Sequence, residues 1–282
     1  MANYRVAGGT TDLSAGALSG VANGDNVFFH EGAQTVSAGI SAAGPVGALT
    51  AGLNGVLIDK SCSVSIGTAG APWYMAAASG SDQVVNYLAT AGSFYHFSYA
   101  NSAAATTARV RALGNGRYFL VGGTVTNLEV GGGSADVAAN VATNVYVAGG
   151  SFSSQYSATA HTLLRMSGGV ANVQRNITTG VVVGGQLNVF QQTTSASPPT
   201  ATTLSVEDGM LIWRGGNITT LNVEGDGMVD FSMAPISLTV TNLVISRSAM
   251  ARSKMRSSVP GVTITYSSVR VYGAETDDVR GM

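Results

Sequence analysis

Charge is what this sequence most lacks. Only 10% of its 282 residues are Asp, Glu, Lys or Arg, against roughly 25% in an ordinary globular domain. The 14 basic and 15 acidic residues leave a formal net charge of −1, so no global attraction draws the chain to nucleic acid or anionic lipid. A single cysteine, Cys62, excludes an internal disulfide and a zinc site built from cysteines. It reads as a small buried apolar side chain, in keeping with assembly in a reducing cytoplasm. The three histidines, His30, His96 and His161, stand apart from one another at no metal-ligand spacing and read as surface or satisfied core residues. Uncharged runs such as 32–58 and 61–81 are broken by Gly, Ser, Thr, Asn and Pro, so none reads as a bilayer span. The opening "MANYRVAGGTTDLSAG" has no basic segment followed by an apolar one, and no secretory signal is expected from it.

What is abundant is glycine, 37 residues, in a background of small and β-branched side chains. That mixture suits short strands and tight turns and suits long solvent-exposed helices poorly. The glycines are not scattered. "VTNLEVGGGSA" at 125–135 is followed by "ATNVYVAGGSF" at 142–152, then by "HTLLRMSGGVANV", "TTGVVVGGQLNVF", "TTLSVEDGMLIW" and "ITTLNVEGDGMVDF". The shared form is Thr or Asn, any, apolar, any, apolar, any, Gly-Gly or an acid-Gly variant, then a second short alternating run. The second apolar position falls at Val130, Val147, Met166, Val182 or Val183, Val206 and Val223, with a weaker copy at Ile245. Most intervals are 16 to 19 residues, and the longer step to Val206 holds the loop insertion "QQTTSASPPTA".

Alternation with period two makes each run a strand with one buried face, and the Gly pairs mark sharp bends. A strand, a bend and a strand cannot bury a face alone, but stacked copies can. The fold class expected is therefore all-β: a parallel β-helix (solenoid) with short capping segments. The kept residues then point inward, while Glu129, Tyr146, Arg165, Ser205 and Asn222 share one outward column whose chemistry changes from coil to coil. Asn and Thr recurring at the coil corners are expected to stack as hydrogen-bonding ladders. A β-sandwich or jelly roll is the competing architecture; near-constant spacing with Gly at one place per copy favours the helix.

Three regions follow. Residues 1–117 form an N-terminal β-rich region, residues 118–246 the β-helix coils, and residues 247–282 a C-terminal basic segment with final strands. In the first region "GDNVFFHEGAQTVSAGI" and "NGVLIDKSCSVSIG" read as strand, turn, strand, turning at Glu31-Gly32 and Asp59-Lys60. "SAAGPVGALTAG" between them reads as a loop. Trp73, Tyr74, Phe94, Tyr95, Phe97 and Tyr99 offer either a carbohydrate platform or the packing of a cap or subunit seam. The C-terminal segment carries the one charge cluster, Arg247, Arg252, Lys254 and Arg256, with no acid among them, followed by Glu275, Asp277 and Asp278. A solvated basic face and a docking surface for an acidic partner are the two readings; without interleaved aromatics, nucleic acid fits it poorly.

Catalytic chemistry finds one candidate, the acidic set Glu207, Asp208, Glu224, Asp226 and Asp230. Glu207 and Glu224 occupy the same place in successive copies, so contact between those coils would bring two carboxylates together, raising one pKa or inviting a cation. Asp at a corner is also an ordinary turn residue, and Arg214 is the only basic residue between 176 and 246. No Walker loop and no dinucleotide fingerprint occurs. The expectation is no enzyme, no catalytic residue, no metal and no cofactor.

"VANGDNVFFHEGAQTVSAGI" together with the Gly-Gly coils resembles bacteriophage virion proteins of the parallel β-helix type, most nearly the capsid decoration, or cement, proteins of tailed phages. The resemblance is one of style over most of the chain. It implies a homotrimer on the outer capsid surface, made in the host cytoplasm, that binds the major capsid protein and stabilises the head, with no nucleic-acid or membrane partner. Arg247, Arg252, Lys254 and Arg256 are then the candidate partner-binding residues. A trimer would also bury the apolar outward residues of a chain with mean hydropathy +0.24. The alternative is a tail fibre or tailspike protein recognising a host glycan.

Overall fold

A computed structural model describes residues 3–6, 26–29, 32–36, 55–60, 62–67, 69, 72–76, 82–99, 106–138, 142–155, 159–191 and 197–273. The strands there are β1 (Asn3–Val6), β2 (Asn26–Phe29), β3 (Gly32–Val36), β4 (Gly55–Ile58), β5 (Cys62–Ile66), β6 (Trp73–Ala76) and β7 (Asp82–Tyr87). They continue with β8 (Ser93–Tyr99), β9 (Thr106–Ala112), β10 (Arg117–Gly122), β11 (Val125–Val130), β12 (Ser134–Val137), β13 (Ala142–Val147) and β14 (Ser151–Ser154). The rest are β15 (His161–Val173), β16 (Ile177–Phe190), β17 (Ala201–Val206), β18 (Met210–Arg214), β19 (Ile218–Val223), β20 (Met228–Asp230), β21 (Leu238–Ser246) and β22 (Ile264–Tyr272), with one helix, α1 (Arg247–Arg252), before β22.

The chain is all-β, and every pairing among the described strands is parallel. A sandwich would pair strands antiparallel. The pairings sort into two ladders. In the first, β9 pairs β11, β11 pairs β13, and β13 pairs the first half of β15; the ladder continues through β16, β17, β19 and β21 to β22. In the second, β8, β10, β12 and β14 pair in turn, then the second halves of β15 and β16, then β18 and β20. One strand of each ladder with its links makes a rung, and neighbouring rungs lie about 4.8 Å apart. The pairings run across residues 117 and 246 without a break.

The repeated hexad explains the first ladder. In β17 and β19 the first, fourth and sixth residues are buried and the others face out. Strict alternation would bury the third and fifth instead. The strand bends at the second residue, and the register skips Thr202 and Thr219 between the pairs Ala201↔Ile218 and Thr203↔Thr220. Leu128, Val145, Leu164, Leu204, Leu221 and Leu243 are buried in one inward column. Val130, Val147, Met166, Val182, Val206 and Val223 form the next, so Val182 rather than Val183 is the inward residue. The outward column holds Glu129, Tyr146, Arg165, Ser205 and Asn222, with Val181 filling the place between Arg165 and Ser205. Stacked amides occur within the strands, away from the coil corners where they were expected: Asn144 Nδ2 donates to Asn127 Oδ1 at 3.0 Å on the first ladder, and Asn188 Nδ2 to Asn172 Oδ1 at 2.9 Å on the second.

Between the ladders the chain turns at a row of stacked glycines. Gly150 has φ +65°, and a β-carbon built on it would lie 2.6 Å from the carbonyl oxygen of Gly133, one rung below. The turn thus needs both a left-handed residue and the absence of a side chain.

The second ladder adds aromatic and polar groups to the core. Phe94 and Tyr118 are buried there, and Phe94 lies 5.8 Å both from the Tyr118 ring and from that of buried Tyr87 on β7, which pairs β9. His96 stacks on Phe94, and its Nδ1 lies 2.8 Å from the Tyr118 hydroxyl. Burial lowers the His96 pKa to about 3 and raises that of Tyr118. Trp213 is fully buried and its Nε1 donates to the Gly216 carbonyl at 2.8 Å.

Arg175 is 1% exposed and has no carboxylate partner among the described residues. Its Nε and Nη2 donate to the carbonyl of Gln155 at 3.0 and 2.7 Å, and Nη2 to that of Ala138 at 3.1 Å. Burial lowers its pKa to about 10, and the carbonyl dipoles hold the cation. Ala138 and Gln155 follow the ends of β12 and β14, so one guanidinium ties three successive rungs. Arg175→Met should therefore cost about 3 kcal/mol, since it strips donors from buried carbonyls. A shift of the urea midpoint within error of wild type would mean that water replaces the guanidinium without loss.

Candidate docking end

The last rung departs from the repeat. After β21 the chain turns into α1, capped by Ser246, whose Oγ accepts from the Ala249 amide at 3.2 Å. Ala249 is buried, and Ser253 closes the helix by donating its hydroxyl to the Ala249 carbonyl at 2.8 Å. Residues 254–258 then lie on the second ladder: Lys254 N donates to the Val229 carbonyl at 2.8 Å, Phe231 N to the Lys254 carbonyl at 2.9 Å and Ser258 N to the Ser232 carbonyl at 2.8 Å. A turn at Gly261 returns the chain to the first ladder as β22.

β22 carries the inward pattern of the hexad with no described strand above it. Leu243 pairs Val269 and Ile245 pairs Val271. The lower pair is buried at 4% and 0%, while Val269 and Val271 are 50% and 42% exposed. No described strand pairs the far edge of this nine-residue strand, which leaves backbone donors and acceptors in a row. Tyr272 and, on α1, Met250 are exposed as well. An unpaired edge bearing apolar side chains is what a sheet offers to another chain.

The four basic residues singled out in the sequence lie at this end but do not act alike. Arg252 Nη1 meets Asp226 Oδ1 at 2.6 Å, and its Nη2 donates to the Gly225 carbonyl at 2.8 Å. Lys254 Nζ meets Asp230 Oδ2 at 2.9 Å. Burial works to raise the Asp230 carboxyl, but hydrogen bonds from Ser232 and Lys254 outweigh it and hold the pKa below the usual range. The basic stretch and much of the acidic set thus neutralise one another across adjacent rungs. Arg247 and Arg256 remain exposed, and Arg270, the outward residue of β22 above Val244, joins them. Arg256 and Arg270 have no ion pair among the described residues.

Glu207 and Glu224 do fall on successive rungs, since Glu224 N donates to the carbonyl of Val206 at 2.8 Å. Both are exposed, and Glu224 takes a hydrogen bond from Tyr272. Asp208 accepts from the amide of Asp226 at 3.1 Å, an ordinary corner bond. Among the described residues no group of three or more His, Cys, Asp or Glu gathers to hold a metal. No helix there is long and apolar enough to cross a membrane.

The aromatic run divides by face. Phe94 is core, whereas Tyr95 faces out and stacks on Phe119 at 4.3 Å, with Arg117 above that ring at 5.0 Å. The side chains of Trp73, Tyr74, Tyr99 and Cys62, together with His30, Glu31, the 41–52 loop, Glu275, Asp277 and Asp278, lie outside the described residues. The sequence reading missed Arg270 and the open face of Val269 and Val271. Their signal was the hexad "YSSVRV" at 266–271, one more copy of the repeat. Compared with protein-family models, curated proteins and solved structures, the chain matches none.

Proposed function

We propose that the protein is a parallel β-helix acting as a structural virion protein: a trimeric capsid decoration protein that docks on the major capsid protein of a tailed phage and stabilises the head. The observation that carries this reading is the uncovered last rung. Its apolar centre, Val269 and Val271, beside Arg247, Arg256 and Arg270, has the plan of a protein interface with a desolvated core and a polar rim. The partner it fits has an acidic surface and an apolar strip or strand edge. A charge-poor stack of interlocked rungs suits a part that bears load rather than turns over substrate.

Binding of the purified chain to undecorated capsids, with its mass in solution measured alongside, tests the reading. Saturable binding by a trimer is expected. Arg256→Glu with Arg270→Glu should weaken it about 10-fold, chiefly through the association rate and less so at high salt. Val269→Asp with Val271→Asp should weaken it more than about 100-fold, with the unfolding midpoint little changed because both side chains are already half exposed. Arg252→Glu should instead lower stability by breaking the Asp226 pair. Full capsid binding by both double variants would exclude this end as the docking surface.

A further inference from the structure

A second feature lies on the outward face of the first ladder, six rungs from the open end or more. Arg109 and Arg111 stand on β9, Glu129 on β11 directly above Arg111, and Tyr146 on β13 directly above Glu129. Arg109 Nε lies 3.3 Å from Glu129 Oε1 and Arg111 Nε 3.1 Å from Glu129 Oε2. One carboxylate is thus clasped by two guanidiniums, each through Nε, and the trio keeps a net positive charge. The terminal nitrogens of both guanidiniums make no other bond among the described residues.

Beside the trio is a cleft of about 290 Å³, lined by Arg109, Leu113, Asn127, Glu129, Tyr146 and Ala148. Its hollow has a sequence cause. The row that holds Leu113 on one rung holds Gly131 on the next, and Leu113, 44% exposed, lies across the space a side chain would take: a β-carbon on Gly131 would sit 2.7 Å from Leu113 Cδ2. The cleft therefore has an aliphatic floor, a tyrosine on one wall and the Arg109 guanidinium, fixed by Glu129, on another. Asn127 is committed to the ladder, donating to the Ala108 carbonyl at 3.1 Å and accepting from Asn144. Arg165 follows Tyr146 in the same column, two rungs or about 10 Å above Glu129.

In a chain with 10% charged residues, three of them converge on two neighbouring rungs beside a hollow with an aromatic wall. We propose that this cleft binds an acidic saccharide. The acid group would take the paired terminal nitrogens of Arg109, a geometry that suits a carboxylate better than a point charge does, while Arg111, bound to the other oxygen of Glu129, leaves the trio net positive. The sugar ring would lay its C–H face on Tyr146 and Leu113, and Glu129 would hold the guanidiniums in place and accept from a ring hydroxyl. A chain longer than one residue would meet a second cation at Arg165. Binding here is independent of capsid docking, because neither Arg256 nor Arg270 touches the cleft.

Calorimetric titration of the full chain with trigalacturonate, maltotriose and acetate tests the proposal. Trigalacturonate should bind saturably, at least 10-fold more tightly than maltotriose, and acetate should neither bind comparably nor compete. Arg109→Gln and Tyr146→Phe or Tyr146→Ala report the two halves of the site: the glutamine and alanine variants should each lose 5-fold or more, and the phenylalanine variant, which keeps the ring face, should lose less. Arg256→Glu should bind as wild type. Equal binding of maltotriose would show that the acid is not the handle. Effective competition by acetate would reduce the site to an anion pair. No saturable binding of trigalacturonate, or full binding by folded Arg109→Gln and Tyr146→Ala, would overturn the proposal.

Discussion

Alanine at Gly150 should destabilise the protein by about 3–5 kcal/mol, whereas alanine at Gly261 should cost only about 1–2 kcal/mol. The two sites form a matched pair. Both have left-handed backbone, φ +65° and +77°, so both changes carry the same conformational cost of about 1–2 kcal/mol. They differ in what a β-carbon meets. At Gly261 nothing lies within 4 Å. At Gly150 the new atom would lie 2.6 Å from the Gly133 oxygen and 2.7 and 2.8 Å from the carbonyl carbon and oxygen of Gly132. Those atoms are backbone in the rung below and cannot swing aside. Relief requires the rungs to part at the corner, which loosens both ladders at once, and Gly169 stacks on Gly150 in the same way, with its β-carbon position 2.5 Å from the Gly150 oxygen. Urea midpoints of the two variants decide the matter. Equal losses would mean that the left-handed φ alone selects glycine and that the close stacking is incidental.

The corner row was visible in the sequence because the same geometry recurs at every rung from 125 to 190, and recurrence writes a period. The inward columns and the outward column from Glu129 to Asn222 were legible for the same reason. The bend at the second hexad residue was less so: Thr126, Thr143 and Thr162 could be counted, but alternation alone cannot say that the register skips them. Alternation in "SFYHFSY" likewise placed Phe94 and His96 on one face without saying which face is buried, so the run was read as the packing of a cap or subunit seam or as a carbohydrate platform, and not as core. The ion pairs of Arg252 with Asp226 and Lys254 with Asp230 join residues 24 to 26 positions apart across a helix that breaks the repeat. With no period to follow, the acidic and basic sets looked like separate sites. Arg109 and Arg111 failed for a different reason: they precede the clear copies of the repeat, so only the register shows that Arg111 continues the column of Glu129 and Tyr146, with Arg109 beside it.

Lowering the pH from 7 to 5 should destabilise the protein by about 2 kcal/mol through His96 alone. The ring is fully buried against Phe94 and Tyr118, and burial lowers its pKa from the ordinary 6.5 to about 3. The unfolded chain therefore takes up a proton first as the pH falls through about 6.5, while the folded chain stays neutral until about 3. Stability contributed by the neutral imidazole is full above 6.5 and declines below it, by about 1.4 kcal/mol per pH unit once the unfolded histidine is protonated. Comparison with a variant that cannot titrate at this position isolates the term, because Asp136, whose folded pKa burial raises, and Asp230, whose folded pKa is lowered, are common to both proteins. His96→Gln, which keeps a hydrogen-bonding group toward the Tyr118 hydroxyl and cannot titrate, should show a urea midpoint nearly flat between pH 7 and 5. The variant will be weaker at pH 7, so the slope and not the absolute midpoint carries the test. Parallel slopes for the two proteins would place the acid sensitivity elsewhere and show that the imidazole gains a proton in the folded state at little cost.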